Sequence, residues 1–205
     1  MLRSLRAVGV LVTAAAIAAA GVGSAVAATT HTAPFAAQVA AAGLNNTQAT
    51  TLQNQVDQIV HQYKGAEQVA ANEISLPGGD SVLLPLPGQK YARVLPGAVN
   101  LGFAPASAAS PAAARPDSSS CPYKYFCMWQ GETWTGEQFN VSTCNAIQAL
   151  PGSGWDGVGS YDNNQTSGTW AYLLNGSKVV TATISPGLSD YAFPWSGYKY
   201  AEACK

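Results

Sequence analysis

Groups able to do chemistry on a substrate are sparse in this chain and unevenly placed. Its two histidines are His31 and His61, so the C-terminal part has none. A serine or cysteine nucleophile there would lack the imidazole that usually activates it. The carboxylates Glu132, Glu137, Asp156, Asp162, Asp190 and Glu202 are few. Glycoside hydrolysis needs two of them facing each other across a bond, and solvated surface carboxylates are the simpler expectation. All four cysteines, Cys121, Cys127, Cys144 and Cys204, lie within residues 121–205. Their spacings, C-x5-C and C-x16-C, fit no common zinc pattern, and an even number in an exported chain reads as two disulfides with three connectivities open. No enzyme is expected, and no cofactor is required.

Charge and the N-terminus bound the partners and the compartment. A net charge of −1 with 10% charged residues leaves no electrostatic footprint for nucleic acid or an anionic membrane. Arg3 and Arg6 precede an apolar run, Val8 to Ala20, which ends in small residues at Ala25-Val26-Ala27. That order predicts a signal peptide over residues 1–27, cleaved after Ala27, and a secreted, extracellular protein. The apolar run is shorter than the ~18–20 residues a membrane span needs.

Residues 28–46 are Ala- and Thr-rich and are expected to be a loose, flexible lead-in. A helix follows, capped by Asn46 or Thr47, with Leu52, Val56, Ile59, Val60 and Tyr63 on one apolar stripe and Gly65 as its stop. His61 on that helix reads as a surface residue. Gln68–Leu76 and Ser81–Leu86 read as two strands of a hairpin around Pro77-Gly78-Gly79-Asp80. Residues 47–95 are thus expected to be a small α+β unit, a helix plus a β-hairpin, too small for a robust core of its own. Residues 96–120 are Ala/Pro/Ser-rich and read as a linker and domain boundary.

Residues 121–205 carry 15 of the 19 aromatic residues. Strands are expected at Tyr123–Gln130, Gln138–Thr143, Thr169–Leu174, Lys178–Ile184 and Tyr198–Ala203, separated by Gly/Pro/Asn turns, which argues an all-β sandwich. Asn175-Gly176 is the best hairpin signal, with type I′ dihedrals accessible to both residues. The spacing Trp129-x4-Trp134-x-Gly136 reads as a folded hairpin, its second aromatic lying back over the turn. Trp129 and Phe139 are assigned to the core. Trp134, Trp155, Trp195, Tyr191, Tyr198 and Tyr200 either fill the sandwich or present stacking platforms to a polymer.

Cys121-Pro122, Cys127-x-Trp129-x-Gly131, Trp134 and Gly136 resemble the opening of peptidase inhibitor family I36. The resemblance implies a βγ-crystallin-like Greek-key sandwich, and the upstream helix, hairpin and linker resemble secreted actinobacterial proteins carrying such a domain. It also implies a secreted proteinaceous peptidase inhibitor, expected as a monomer, that inserts a loop into the active site of a secreted peptidase. It favours Cys121–Cys127, leaving Cys144–Cys204 to close about 60 residues, a link worth on the order of 4 kcal/mol. Asp162-Asn163-Asn164-Gln165-Thr166-Ser167 matches the crystallin-type calcium loop, and Asp162, Asn163, Thr166 and Ser167 could offer oxygens to Ca2+. The same residues would otherwise cap a turn. Two departures matter. The hairpin spacing does not recur in the second half, and the family's disulfide-closed inhibitory loop has only Cys204 available there. Asn145–Asp156 and Ser185–Pro194 are the candidate inserting loops, with no reactive bond assigned. The alternative function is a non-catalytic binding or structural module at the cell surface, in one form calcium-binding.

Overall fold

The structure, a computed structural model, describes residues 35–97 and 121–204. The expected signal peptide, the first part of the lead-in and all but the first two residues of the expected linker lie outside the described residues.

Helix α1, Ala36–Ala41, occupies part of the lead-in that composition marks as loose. Alanine has the best helix propensity, and Phe35, Val39, Ala42 and Leu44 pack against the core. Gln38 fixes the helix in place. Its Oε1 accepts from Ala71 N at 2.7 Å and its Nε2 donates to Pro96 O at 3.3 Å. Helix α2, Asn46–Gln62, starts one residue earlier than expected because Asn45 is the cap. Asn45 Oδ1 accepts from Gln48 N while Gln48 Oε1 accepts from Asn45 N, a reciprocal capping box. Leu52, Val56 and Ile59 form its buried stripe.

The expected hairpin is a three-strand meander: β1 Glu67–Ala70, β2 Glu73–Ser75 and β3 Ser81–Leu83. What reads as one strand over 68–76 reverses at Ala71-Asn72, where Asn72 Nδ2 donates to Leu84 O at 2.7 Å and Arg93 O at 2.9 Å. Those bonds bury the turn instead of leaving it in solvent.

The second segment supplies β4 Phe126–Gly131, β5 Thr135–Val141, β6 Ile147–Ala149, β7 Val158–Asn163, β8 Ala171–Leu174, β9 Val180–Ile184, β10 Ser189–Pro194 and β11 Tyr200–Glu202. Two antiparallel sheets result, in the orders β1-β2-β3-β5-β4-β7-β10 and β6-β11-β8-β9. Of the four strands β4–β7, the third lies in the smaller sheet. Of β8–β11, the third lies in the larger. Each set thus gives one strand to the other's sheet.

The segments on either side of residues 98–120 share one sheet. β3 pairs with β5 in the register Ser81↔Asn140, Val82↔Phe139, Leu83↔Gln138. Asp80 secures that seam, since its Oδ1 accepts from Ser142 N, Thr143 N and Thr143 Oγ1 at 2.7–2.9 Å. The register puts Ile74, Val82, Phe139, Met128 and Tyr161 on one face of the large sheet. One buried cluster joins these residues to Leu52, Val56 and Ile59 of α2 and to Leu173, Ala201 and Trp195. A 63-residue piece with a weak core of its own is completed by the strands it pairs with.

Strands β6, β7 and β10 are missing from the sequence expectation because β6 has only three residues and Gly, Asp, Asn, Ala and Pro, which are depleted in strands, interrupt β7 and β10. β7 reads Val-Gly-Ser-Tyr-Asp-Asn, yet it sits centrally between β4 and β10, where pairing overrides propensity. Gly159 within it is required: a Cβ there would strike the Trp195 indole and the Trp129 carbonyl. The β8–β9 hairpin forms, but not through a type I′ turn. Lys178 N donates to Asn175 O at 2.9 Å and Lys178 takes the left-handed conformation at φ 59°, a three-residue loop with a following bulge. Asn175 instead uses its side-chain oxygen to accept from Ser177 N and Val179 N.

Candidate functional site

The motif stretch is built as a folded-over hairpin. Between β4 and β5, Thr133 and Trp134 take positive φ of 48° and 63°, and Gly136 follows at 82°. This bend lays half-buried Trp134 against fully buried Trp129, which shares a small cluster with Cys121 and Cys127 on the sheet face opposite Phe139. Ser160 of β7 locks the bend: its Oγ donates to Gly131 O at 2.9 Å and accepts from Trp134 N at 2.8 Å. Ser160 carries no local sequence signal and was missed. The disulfides are Cys121–Cys127 and Cys144–Cys204, the pairing that the family resemblance implies.

The four residues offered for calcium do not converge as a side-chain set. Asp162 and Asn163 are successive residues of β7, so their side chains leave opposite faces of the sheet. Asn163 is committed to the protein: its Nδ2 donates to Ile184 O at 2.8 Å and its Oδ1 accepts from Gln165 N and Nε2. Thr166 and Ser167 are exposed in the turn that follows. Among the described residues, no group of three or more His, Cys, Asp or Glu is arranged to hold a metal ion.

The two candidate inserting loops differ in their freedom. Asn145–Asp156 contains β6 and is clamped from the helix side. Gln62 Nε2 donates to Leu150 O at 2.9 Å, Gln62 Oε1 accepts from Gly152 N at 2.7 Å, and Tyr63 Oη donates to Ala149 O. Gln130 Nε2 also donates to Ser153 O. In Ser185–Pro194, the second half is strand β10, and the turn Ser185–Leu188 is pinned at its base. Gly187 N donates to Asn163 O at 2.6 Å, Asn163 N donates to Leu188 O at 2.9 Å, and Leu188 N donates to Ser185 O. The side chains beyond the pins face solvent, with Leu188 50% and Tyr191 64% exposed. Tyr191 lies within a bulge of β10, where Asp190 Oδ1 accepts from Ala192 N at 2.9 Å.

Most of the aromatic residues weighed as platforms are structural. Trp195 is fully buried with its Nε1 donating to Trp129 O at 2.8 Å, and buried Trp155 donates its Nε1 to Glu137 Oε1 at 3.3 Å. The two indoles meet edge-on at 5.3 Å. Trp134, Tyr198 and Tyr200 are half-buried, which leaves Tyr191 as the open one of the six, and Trp170 is 40% exposed without having been singled out. His61 is exposed, as expected.

Three of the buried carboxyl groups are held well above the ordinary carboxylate range. Burial pushes Glu137 up to about 8, its Trp155 hydrogen bond opposing part of the shift. Burial likewise raises Glu73 to about 7 and Asp162 to about 6. Glu73 of β2 has neither oxygen hydrogen-bonded among the described residues.

Few helices, mostly antiparallel strands and two disulfides define a braced β-rich protein. Residues 114–178, about a third of the chain, match the model of peptidase inhibitor family I36. The match takes in β4 to β8 and stops at Lys178, before β9. No curated protein and no solved structure matches the chain.

Proposed function

We propose that the chain is an exported peptidase inhibitor of the I36 type that presents the Ser185–Leu188 turn, with Leu188 and Tyr191, to the active site of a secreted peptidase. The observation that carries this reading is the pinned base and bare tip of that turn. Asn163 holds it with two backbone bonds and a side-chain bond to Ile184 O, while Leu188 is half exposed. Inhibition by insertion needs a segment already held in its bound shape, so that little ordering entropy is lost on docking. The rival loop, Asn145–Asp156, is tied down by Gln62 and Tyr63. The family match supports a peptidase as partner, and because it ends at Lys178 the inserting segment is assigned from this chain's own geometry.

The strand exchange between β4–β7 and β8–β11 supports reading the two sheets as a βγ-crystallin-like Greek-key sandwich, widened by the β1–β3 meander. In that reading the second Greek key keeps its topology without repeating the aromatic spacing.

The test is Leu188→Asp assayed against a peptidase that the wild-type chain inhibits. Loss of a central anchor weakens inhibition by roughly 30-fold or more. Asn163→Ala keeps both backbone bonds and removes only the side-chain bond to Ile184 O at the base of the turn, so it weakens inhibition less than Leu188→Asp does. Inhibition unchanged in Leu188→Asp means that another segment docks.

A further inference from the structure

Glu137 has one partner and an open side. Its Oε1 accepts from Trp155, and among the described residues nothing donates to Oε2. The side chain is 8% exposed, and it lines a cleft of about 300 Å³ between α2 and the Gly152–Gly154 turn. Gln55, Gln58 and Gln130 line the same cleft, with Leu84 and Pro85 as apolar wall. Two glycines form the wall beside the carboxylate and Gln130. A Cβ at Gly152, φ 58°, would sit 3.6 Å from Glu137 Oε2, and one at Gly154, φ 92°, would lie 2.7 Å from Gln130 Nε2.

The chemistry of this lining selects a ligand. A buried carboxyl group with no counter-charge favours a cation that supplies one. No lysine or arginine lines the cleft among the described residues. Tyr63, the residue that follows α2, is a titratable group that feels Glu137; it also feels Asp80, and neither brings positive charge. The carboxamide oxygens suit N–H donors, and the apolar wall suits an aliphatic stem. We propose that this cleft binds an alkylguanidinium or alkylammonium group, with Glu137 Oε2 taking the charge and the glutamine oxygens taking the remaining N–H donors. Glu137 is protonated at neutral pH, because burial holds it at about 8. Binding therefore ionises it and expels one proton to solvent.

Isothermal titration of the full chain at pH 7, in two buffers of different ionisation enthalpy, tests this directly. The probes are N-acetyl-arginine N-methylamide, agmatine and the uncharged N-acetyl-citrulline N-methylamide. The expected result is saturable binding of a guanidinium probe with about one proton released, and none of the citrulline probe. Tighter binding of agmatine assigns the site to a free amine, and tighter binding of the capped arginine assigns it to a side chain of a polypeptide. Glu137→Gln keeps the shape and the acceptor for Trp155, and it weakens binding roughly 10- to 100-fold. Gln58→Ala, at an exposed helix position that does not threaten the fold, weakens it too. Absence of saturable guanidinium binding overturns the proposal. So does equal binding of the citrulline probe, or unchanged affinity in either variant.

Discussion

Replacing Glu137 by glutamine should remove a large part of the pH dependence of stability. In the folded chain this carboxyl group titrates near 8, against an ordinary 4.5. Its folded pKa is raised, so the folded state holds a proton that the unfolded chain has already released. The resulting stability is fully present below about 4.5 and is lost as pH rises toward and through 8. At about 1.4 kcal/mol per unit, the difference is worth roughly 3–5 kcal/mol across that window. Glutamine at this position is neutral at every pH and preserves the oxygen that accepts from Trp155 Nε1. Urea unfolding, followed by tryptophan fluorescence at pH 5 and pH 8, measures the effect. The wild type should lose roughly 3–5 kcal/mol more than Glu137→Gln between those conditions. Glu73 and Asp162 are also raised and add to the slope of both proteins, so the difference isolates Glu137. Equal slopes in the two proteins would refute the assignment of Glu137 as a buried, neutral acid.

Two further outcomes follow from the same structure. Asp80→Ala strips the acceptor from Ser142 N, Thr143 N and Thr143 Oγ1 at the β3–β5 seam; it should destabilise the whole chain by about 2–4 kcal/mol, a lowered melting temperature in calorimetry with a single transition. Two separate transitions would mean that the segments do not share a core. Because Asp162 and Asn163 point away from each other, calcium or chelator should leave the melting temperature unchanged, and a calcium-dependent rise would show that the loop binds the ion after all.

What could be read from the sequence follows the reach of each signal. The hairpin from Phe126 to Val141 was legible because its constraint is local: Gly136 must reach positive φ, and the two tryptophans sit five residues apart. Helix α2 was legible from its stripe, with its cap misplaced by one residue because Asn45, Asn46 and Thr47 are all good caps. The three-strand meander was not, since Asn72 turns the chain by binding Leu84 and Arg93 carbonyls far along it. Nor was the seam between β3 and β5. Ala/Pro/Ser-rich composition over 96–120 marks a break in the chain, but it says nothing about whether the flanking strands meet in space. At the candidate site, both loops were flagged by glycine and proline. Which one is free depends on Gln62 and Tyr63, more than 80 residues away from the loop they clamp. Asn163 stood out only as a candidate ion ligand; its bonds to the Ser185–Leu188 turn span more than 20 residues and leave no local mark.

The central claim, insertion of that pinned turn into a peptidase, is tested most directly by titrating the purified chain against a panel of secreted metallo- and serine peptidases. At least one is expected to be inhibited stoichiometrically at a one-to-one ratio, with the titration shifted by Leu188→Asp. Full peptidase activity throughout the panel at excess protein would contradict it.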